Sequence, residues 1–123
     1  LYAFDKNNKI IASFPATIGS EDNPSPSGTH TIANIVKNPY YSYSPKNFVQ
    51  GNNLKPLTLA PGPNNPVGNI WIGLSKPSFG IHGTPSPSLI SKSASHGCIR
   101  LTNWDASALA RTLIKGTQVR FID

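Results

Sequence analysis

Short apolar, β-forming stretches separated by polar, turn-forming ones recur along much of this chain, which predicts short β-strands. Residues 1–5 and 9–18 are rich in β-forming side chains and flank Lys6-Asn7-Asn8, whose asparagine pair favours a tight turn. The pattern predicts a hairpin with an exposed tip. A polar stretch over 19–27, dense in Pro, Asp, Asn and Ser, reads as a loop, and 28–36 returns to strand composition. Further short strands are predicted at 69–75 and 79–82. At the end of the chain Val119 and Phe121 alternate with Gln118 and Arg120, as in a half-buried terminal strand. One segment changes period: Ala106, Leu109, Ala110, Leu113 and Ile114 recur at helical spacing after Thr102-x-x-Asp105, which has the form of a capping box. A helix over 102–115 is expected, closed by Gly116 as a left-handed residue, with Arg111 and Lys115 complementing the dipole of its last turn.

Residues 37–66 fit neither period. They are rich in Pro, Asn, Tyr and Ser, yet Tyr40, Tyr41, Tyr43 and Phe48 make them too aromatic for a disordered linker. A long packed loop is expected, acting as a lid over a groove or packing against the core.

With 123 residues, one domain spanning 1–123 is expected, and 12 Pro and 10 Gly beside 13% charged residues favour a mainly β fold with one or two helices. The formal charge of +6 favours an acidic partner. The basic residues are dispersed and carry no interleaved aromatic motif, which argues against nucleic acid. No apolar run is long enough to be a membrane segment. The chain begins at Leu1 and contains no Met, so it reads as a domain from a longer protein, with any targeting segment outside these residues.

A single cysteine excludes an intramolecular disulfide and leaves Cys98 to be explained as buried and inert or as reactive. Its neighbourhood favours reactivity. Ser95-His96-Gly97-Cys98-Ile99-Arg100 is the densest cluster of reactive side chains, and Ile81-His82-Gly83-Thr84 lies a short way upstream. An imidazole that takes the thiol proton raises the nucleophilic fraction, and small residues leave backbone amides free to meet an oxyanion. Zinc on His82, His96 and Cys98 with water as fourth ligand is a stereochemical alternative, although no further Cys or placed carboxylate completes a metal motif.

The pair I-H-G-T and S-H-G-C-I-R-L resembles the signature of the YkuD-type L,D-transpeptidase catalytic domain. Ser25-Pro26-Ser27-Gly28, Lys37-Asn38-Pro39, the run from Pro61 to Gly68, and Gly73-Leu74-Ser75 are similar to further segments of that family, so the likeness covers nearly the whole chain. The resemblance implies a β-sandwich or barrel-like mixed sheet, whose usual opening strand is missing or truncated before Leu1. It implies Cys98 as nucleophile, His82 as proton acceptor oriented by the Gly83 carbonyl, and oxyanion-hole amides from His96, Gly97 and Cys98. Ser95, Thr84 and Arg100 would shape the substrate pocket. Arg100 suits a substrate carboxylate because a guanidinium binds carboxylates bidentately, and a structural salt bridge is its other reading. His30 does not match the motif and is read as structural.

The implied reaction releases terminal D-Ala from a peptidoglycan tetrapeptide stem through a thioester and passes the acyl group to an amine, on a second stem or on a wall-anchored protein. No cofactor and no metal are needed. The implied setting is periplasmic, in a bacterial cell envelope. An L,D-carboxypeptidase using water, and a wall-binding module without turnover, are the rival readings.

Overall fold

Strand pairing organises the chain around one ten-residue strand. In the computed structural model, which describes residues 1–19, 24–43, 57–59, 61–62, 65–90 and 97–122, β1 (Tyr2–Phe4) and β2 (Ile10–Ser13) form an antiparallel hairpin. Its tip is built by Asp5, whose carboxylate accepts from the Asn7 and Lys9 amides at 2.8 and 3.0 Å, while Asn8 takes φ 60°. The predicted hairpin is present, with a shorter second strand.

β3 (Gly28–Lys37) is shared between two neighbours. Its first four residues pair antiparallel with β9 (Gln118–Phe121), and its second half pairs antiparallel with β6 (Ile70–Leu74). Beyond β6 follow β7 (Gly80–His82), antiparallel, and β8 (Ile99–Arg100), parallel to β7, giving a mixed sheet ordered β8-β7-β6-β3-β9. Thr17 bridges the free edge of β8 through reciprocal 2.9 Å backbone bonds with Arg100. A register shift near Ala33 lets Ile32 and Ile35 both stand opposite core residues, Leu74 and Ile72, although an uninterrupted period of two would put them on opposite faces.

One face of this sheet carries the core. Ile32, Ile72, Leu74, Ile81, Ile99 and Leu101 are buried there, and α1 (Asn103–Ala110) adds Ala106 and Leu109. Thr102 caps α1 as expected, its hydroxyl accepting from the Asp105 amide at 3.1 Å. The helix ends five residues earlier than the apolar spacing predicts. Thr112 sends both its amide and its hydroxyl to the Leu109 carbonyl, at 2.9 and 2.8 Å, which closes the last turn. Leu113 and Ile114 therefore lie outside the helix, and so does Lys115, so no basic side chain stands in its last turn. Gly116 does take a positive φ, 93°, but in a turn whose Thr117 amide reaches Ile114, and its own amide bonds Ile32 at 2.8 Å. Tertiary pairing with β3 overrides the helical period.

The expected long loop is also more regular than its composition suggests. β4 (Tyr41–Tyr43) and β5 (Leu57–Leu59) pair antiparallel within it. The rest of the expected lid, 44–56, lies outside the described residues. No helix among the described residues is long and apolar enough to cross a membrane.

Candidate active site

The opposite face of the sheet collects the chemistry. Register alignment makes a cross-strand row of Thr17, Arg100, His82, Trp71 and Val36, each opposite the next on a neighbouring strand. Facing residues of this kind share one side of a sheet, so the buried Ile81 and Ile99 point to the core while His82 and Arg100 point away from it. The neighbouring row contains Gly80 opposite Gly73 and Gly73 opposite Asn34. Cys98 immediately precedes β8, beside Gly80.

His82 is buried, and its Nδ1–H donates to the Gly83 carbonyl at 2.6 Å. That bond fixes the tautomer and leaves Nε2 as an acceptor. The Trp71 indole stacks on the imidazole with centroids 5.7 Å apart and planes inclined by 20°. Space for the indole comes from glycine, since a Cβ on Gly80 would lie 2.7 Å from Trp71 Cη2 and Cζ2. Burial lowers the His82 pKa from 6.5 to about 4, with the Arg100 charge acting in the same direction and the Gly83 bond opposing it.

Cys98 is half-buried, and its thiol donates to the Ser78 carbonyl at 3.7 Å. Burial raises its pKa, while a hydrogen bond from the Gly80 backbone and the Arg100 charge lower it. Both groups are therefore neutral at pH 7, and one guanidinium acts on both. Ser78 sits in the turn between β6 and β7 with φ 70°, after Pro77, where the Phe79 amide bonds Lys76 at 3.3 Å.

Gly97 takes φ 114°, and a Cβ there would lie 2.6 Å from Phe79 Cε1 and 3.0 Å from the Pro24 carbonyl oxygen. The space that a side chain at 97 would need is filled by the Phe79 ring. This glycine therefore serves packing and backbone conformation. The Lys76 ammonium stands 5.0 Å from the centroid of that ring.

His82, Gly83, Gly97, Cys98 and Arg100 are thus gathered on and beside two adjacent strands. Thr84 is buried, and its hydroxyl accepts from the Ser86 amide at 3.1 Å, which makes it part of the turn after β7. Ser95 and His96 lie outside the described residues. Among the described residues no three His, Cys, Asp or Glu side chains form a metal group; the zinc alternative includes His96 and so extends outside them. His30 has a structural place, its Nε2 bonded to the Ser27 carbonyl at 2.9 Å and its ring edge-on to Phe121.

Sequence reasoning missed Trp71, Ser78, Phe79 and Asn103. Only the strand register brings Trp71 to His82, and only the turn geometry aims the Ser78 carbonyl at the thiol. Asn103 follows the helix cap directly and fills the space left by the missing Gly83 side chain.

Residues 1–121 match the family model of the L,D-transpeptidase catalytic domain. The chain is 32% identical over 113 residues to the L,D-transpeptidase-type protein YkuD of Bacillus subtilis, covering 92% of this chain and 54% of that protein. It thus spans about half the length of that relative. Among solved structures, an L,D-transpeptidase from Mycobacterium smegmatis superposes with TM-score 0.69 at 20% identity, over 95% of this chain and 51% of that one. L,D-transpeptidase 3 from Mycobacterium tuberculosis, in complex with a faropenem-derived adduct, gives TM-score 0.69 at 18% identity, over 99% and 48%. The mostly β, curled mixed sheet with one helix is the fold of these proteins.

Proposed function

From the premise that this chain belongs to the L,D-transpeptidase catalytic-domain family, we propose that it is a cysteine acyltransferase of peptidoglycan stem peptides. The observation that carries this reading is the buried His82, held in one tautomer by the Gly83 carbonyl on the strand beside Cys98.

Cys98 attacks the carbonyl carbon of the third residue of a tetrapeptide stem, a diaminopimelate-type residue. Its thiol proton passes to His82 Nε2 as the carbon–sulfur bond forms. The carbon–nitrogen bond to terminal D-Ala then breaks, and the imidazolium returns the proton to the departing amine. A thioester remains. An acceptor amine, from a second stem or a wall-anchored protein, attacks that thioester, gives its proton to His82 and restores the thiol. Backbone amides of Gly97 and Cys98, joined by His96, meet the oxyanion in each tetrahedral intermediate.

The resting state in this scheme is a neutral thiol beside a neutral imidazole, because burial disfavours both charged forms. Proton transfer therefore accompanies attack. Arg100 favours the developing thiolate and suits the carboxylate of a stem peptide, and in this reading Ser95 and Thr84 also contribute to the substrate pocket. The chain's +6 charge concentrates acidic stems, most strongly at low salt. The proposed setting is the periplasmic side of a bacterial envelope, and the scheme uses no cofactor or metal.

The test incubates the protein with purified tetrapeptide muropeptides and follows products by mass spectrometry. Cross-linked dimers that vanish in Cys98→Ala are expected. Tripeptide alone would make the protein an L,D-carboxypeptidase, and binding without any product would make it a wall-binding module.

A further inference from the structure

Asn103 is the first residue of α1, and its side chain is used away from the helix. Its Oδ1 accepts from the Asn69 amide at 3.2 Å. The same oxygen occupies the place where a Cβ on Gly83 would stand, with Asn103 Cγ 3.1 Å and Cα 3.2 Å from that point. A Cβ on Gly68 would also overlap it, and would lie 2.7 Å from the Gly83 carbonyl carbon and 2.8 Å from the Thr84 nitrogen. Gly68 has φ 67°, and its amide bonds the Asn65 carbonyl at 2.8 Å.

The Gly83–Thr84 peptide is therefore closely packed by Gly68 and Asn103. Gly68 approaches it too closely to allow a side chain, and the Asn103 amide fills the gap between the two glycines. That peptide carries the carbonyl to which His82 Nδ1–H donates. The Gly83 amide is anchored to the Ile70 carbonyl at 3.3 Å. Gly83 is thus held on both sides of its Cα, by the Ile70 bond through the preceding peptide and by close packing against the peptide that follows, and its carbonyl meets His82 Nδ1 at 2.6 Å.

We infer that Asn103 is a positioning residue that holds the Gly83 carbonyl toward His82 and so selects the tautomer with Nε2 free for the thiol proton. This rests on the proposed role of His82 as the base. The capped N-terminus of the helix thereby delivers a wedge to the back of the active-site histidine, and glycines at 68 and 83 leave room for it.

The test compares Asn103→Ser, which removes the wedge but suits a helix start, with Asn103→Asp, which keeps an acceptor oxygen in the same place. Nitrogen-15 NMR of the imidazoles, with the His82 signal assigned by its loss in His82→Gln, reads the tautomer directly. Asn103→Ser is expected to show a mixture of tautomers and to lower kcat by on the order of tenfold or more, as misplaced catalytic groups do, with KM within about twofold. Asn103→Asp is expected to keep the Nδ1–H tautomer and kcat within about threefold. An unchanged His82 signal in Asn103→Ser overturns the inference whatever its kcat does. Should that variant fail to fold, loss of the tautomer in Asn103→Asp overturns it and retention supports it. The separate claim that His82 is the base fails if His82→Gln still transfers acyl groups, a result that leaves the tautomer readout intact.

Discussion

His82 and Cys98 are neutral for a shared physical reason, burial, and this sets what each should do as pH changes. A thiolate–imidazolium ion pair would hold a thiolate in weakly acidic solution; here the thiol pKa is raised and the imidazole pKa is lowered to about 4. Alkylation of Cys98 by iodoacetamide should therefore climb through the alkaline range with no plateau between pH 5 and 6, and such a plateau would contradict the neutral pair. The imidazole also ties stability to acid. Its folded pKa lies below the unfolded value of 6.5, so its contribution is fully present above about pH 6.5 and is lost as pH falls toward 4. At roughly 1.4 kcal/mol per pKa unit the loss approaches about 3 kcal/mol. Denaturant midpoints measured from pH 7 to pH 4 should fall for the parent protein and fall less for His82→Gln. The proposed nucleophile and base could be singled out in the sequence because I-H-G-T and S-H-G-C place imidazoles and the one thiol close together and resemble a family signature. Trp71, Ser78 and Asn103 were not, because each reaches the site through strand register or turn geometry that no local pattern encodes.

At the scale of elements, patterning located strands and cap well and the helix end poorly. Strand-like composition located β3, β6 and β7, and period-two alternation located β9, which is half-buried on alternate residues. Helical spacing ran on through Leu113 and Ile114, but the Thr112 hydroxyl and the pairing of Gly116 with β3 stop α1 at Ala110. The hairpin of β4 and β5 stayed hidden because its strands are only three residues long and lie within Pro- and Asn-rich sequence. Thr102→Ala should remove the cap and cost about 1 kcal/mol, read by denaturant unfolding, since the Asp105 amide loses its acceptor. Gly83→Ala should cost more, on the order of 2–3 kcal/mol, because its Cβ has nowhere to go but into Asn103. A fully stable alanine variant would mean that the helix start does not abut β7 as described.

For the whole molecule, the two faces of one mixed sheet divide the work. Ile72, Ile81, Ile99 and Leu101 on the inner face, with Leu109 of the helix, fix the strands, and the outer face then inherits a register that sets His82 beside Arg100 and under Trp71. Fold stability and site geometry are coupled through that register, since a slip by one residue would turn His82 into the core. As the proposed nucleophile, Cys98 becomes acylated during turnover. Rapid quenching of the protein with a tetrapeptide stem, followed by intact-mass and peptide-mapping spectrometry, tests it most directly. A transient adduct is expected on the Cys98 peptide with the mass of the stem less its terminal D-Ala, absent in Cys98→Ser and dispersed by an added amine. Turnover of the stem with Cys98 unmodified at every time point, or turnover that persists in Cys98→Ala, would contradict it.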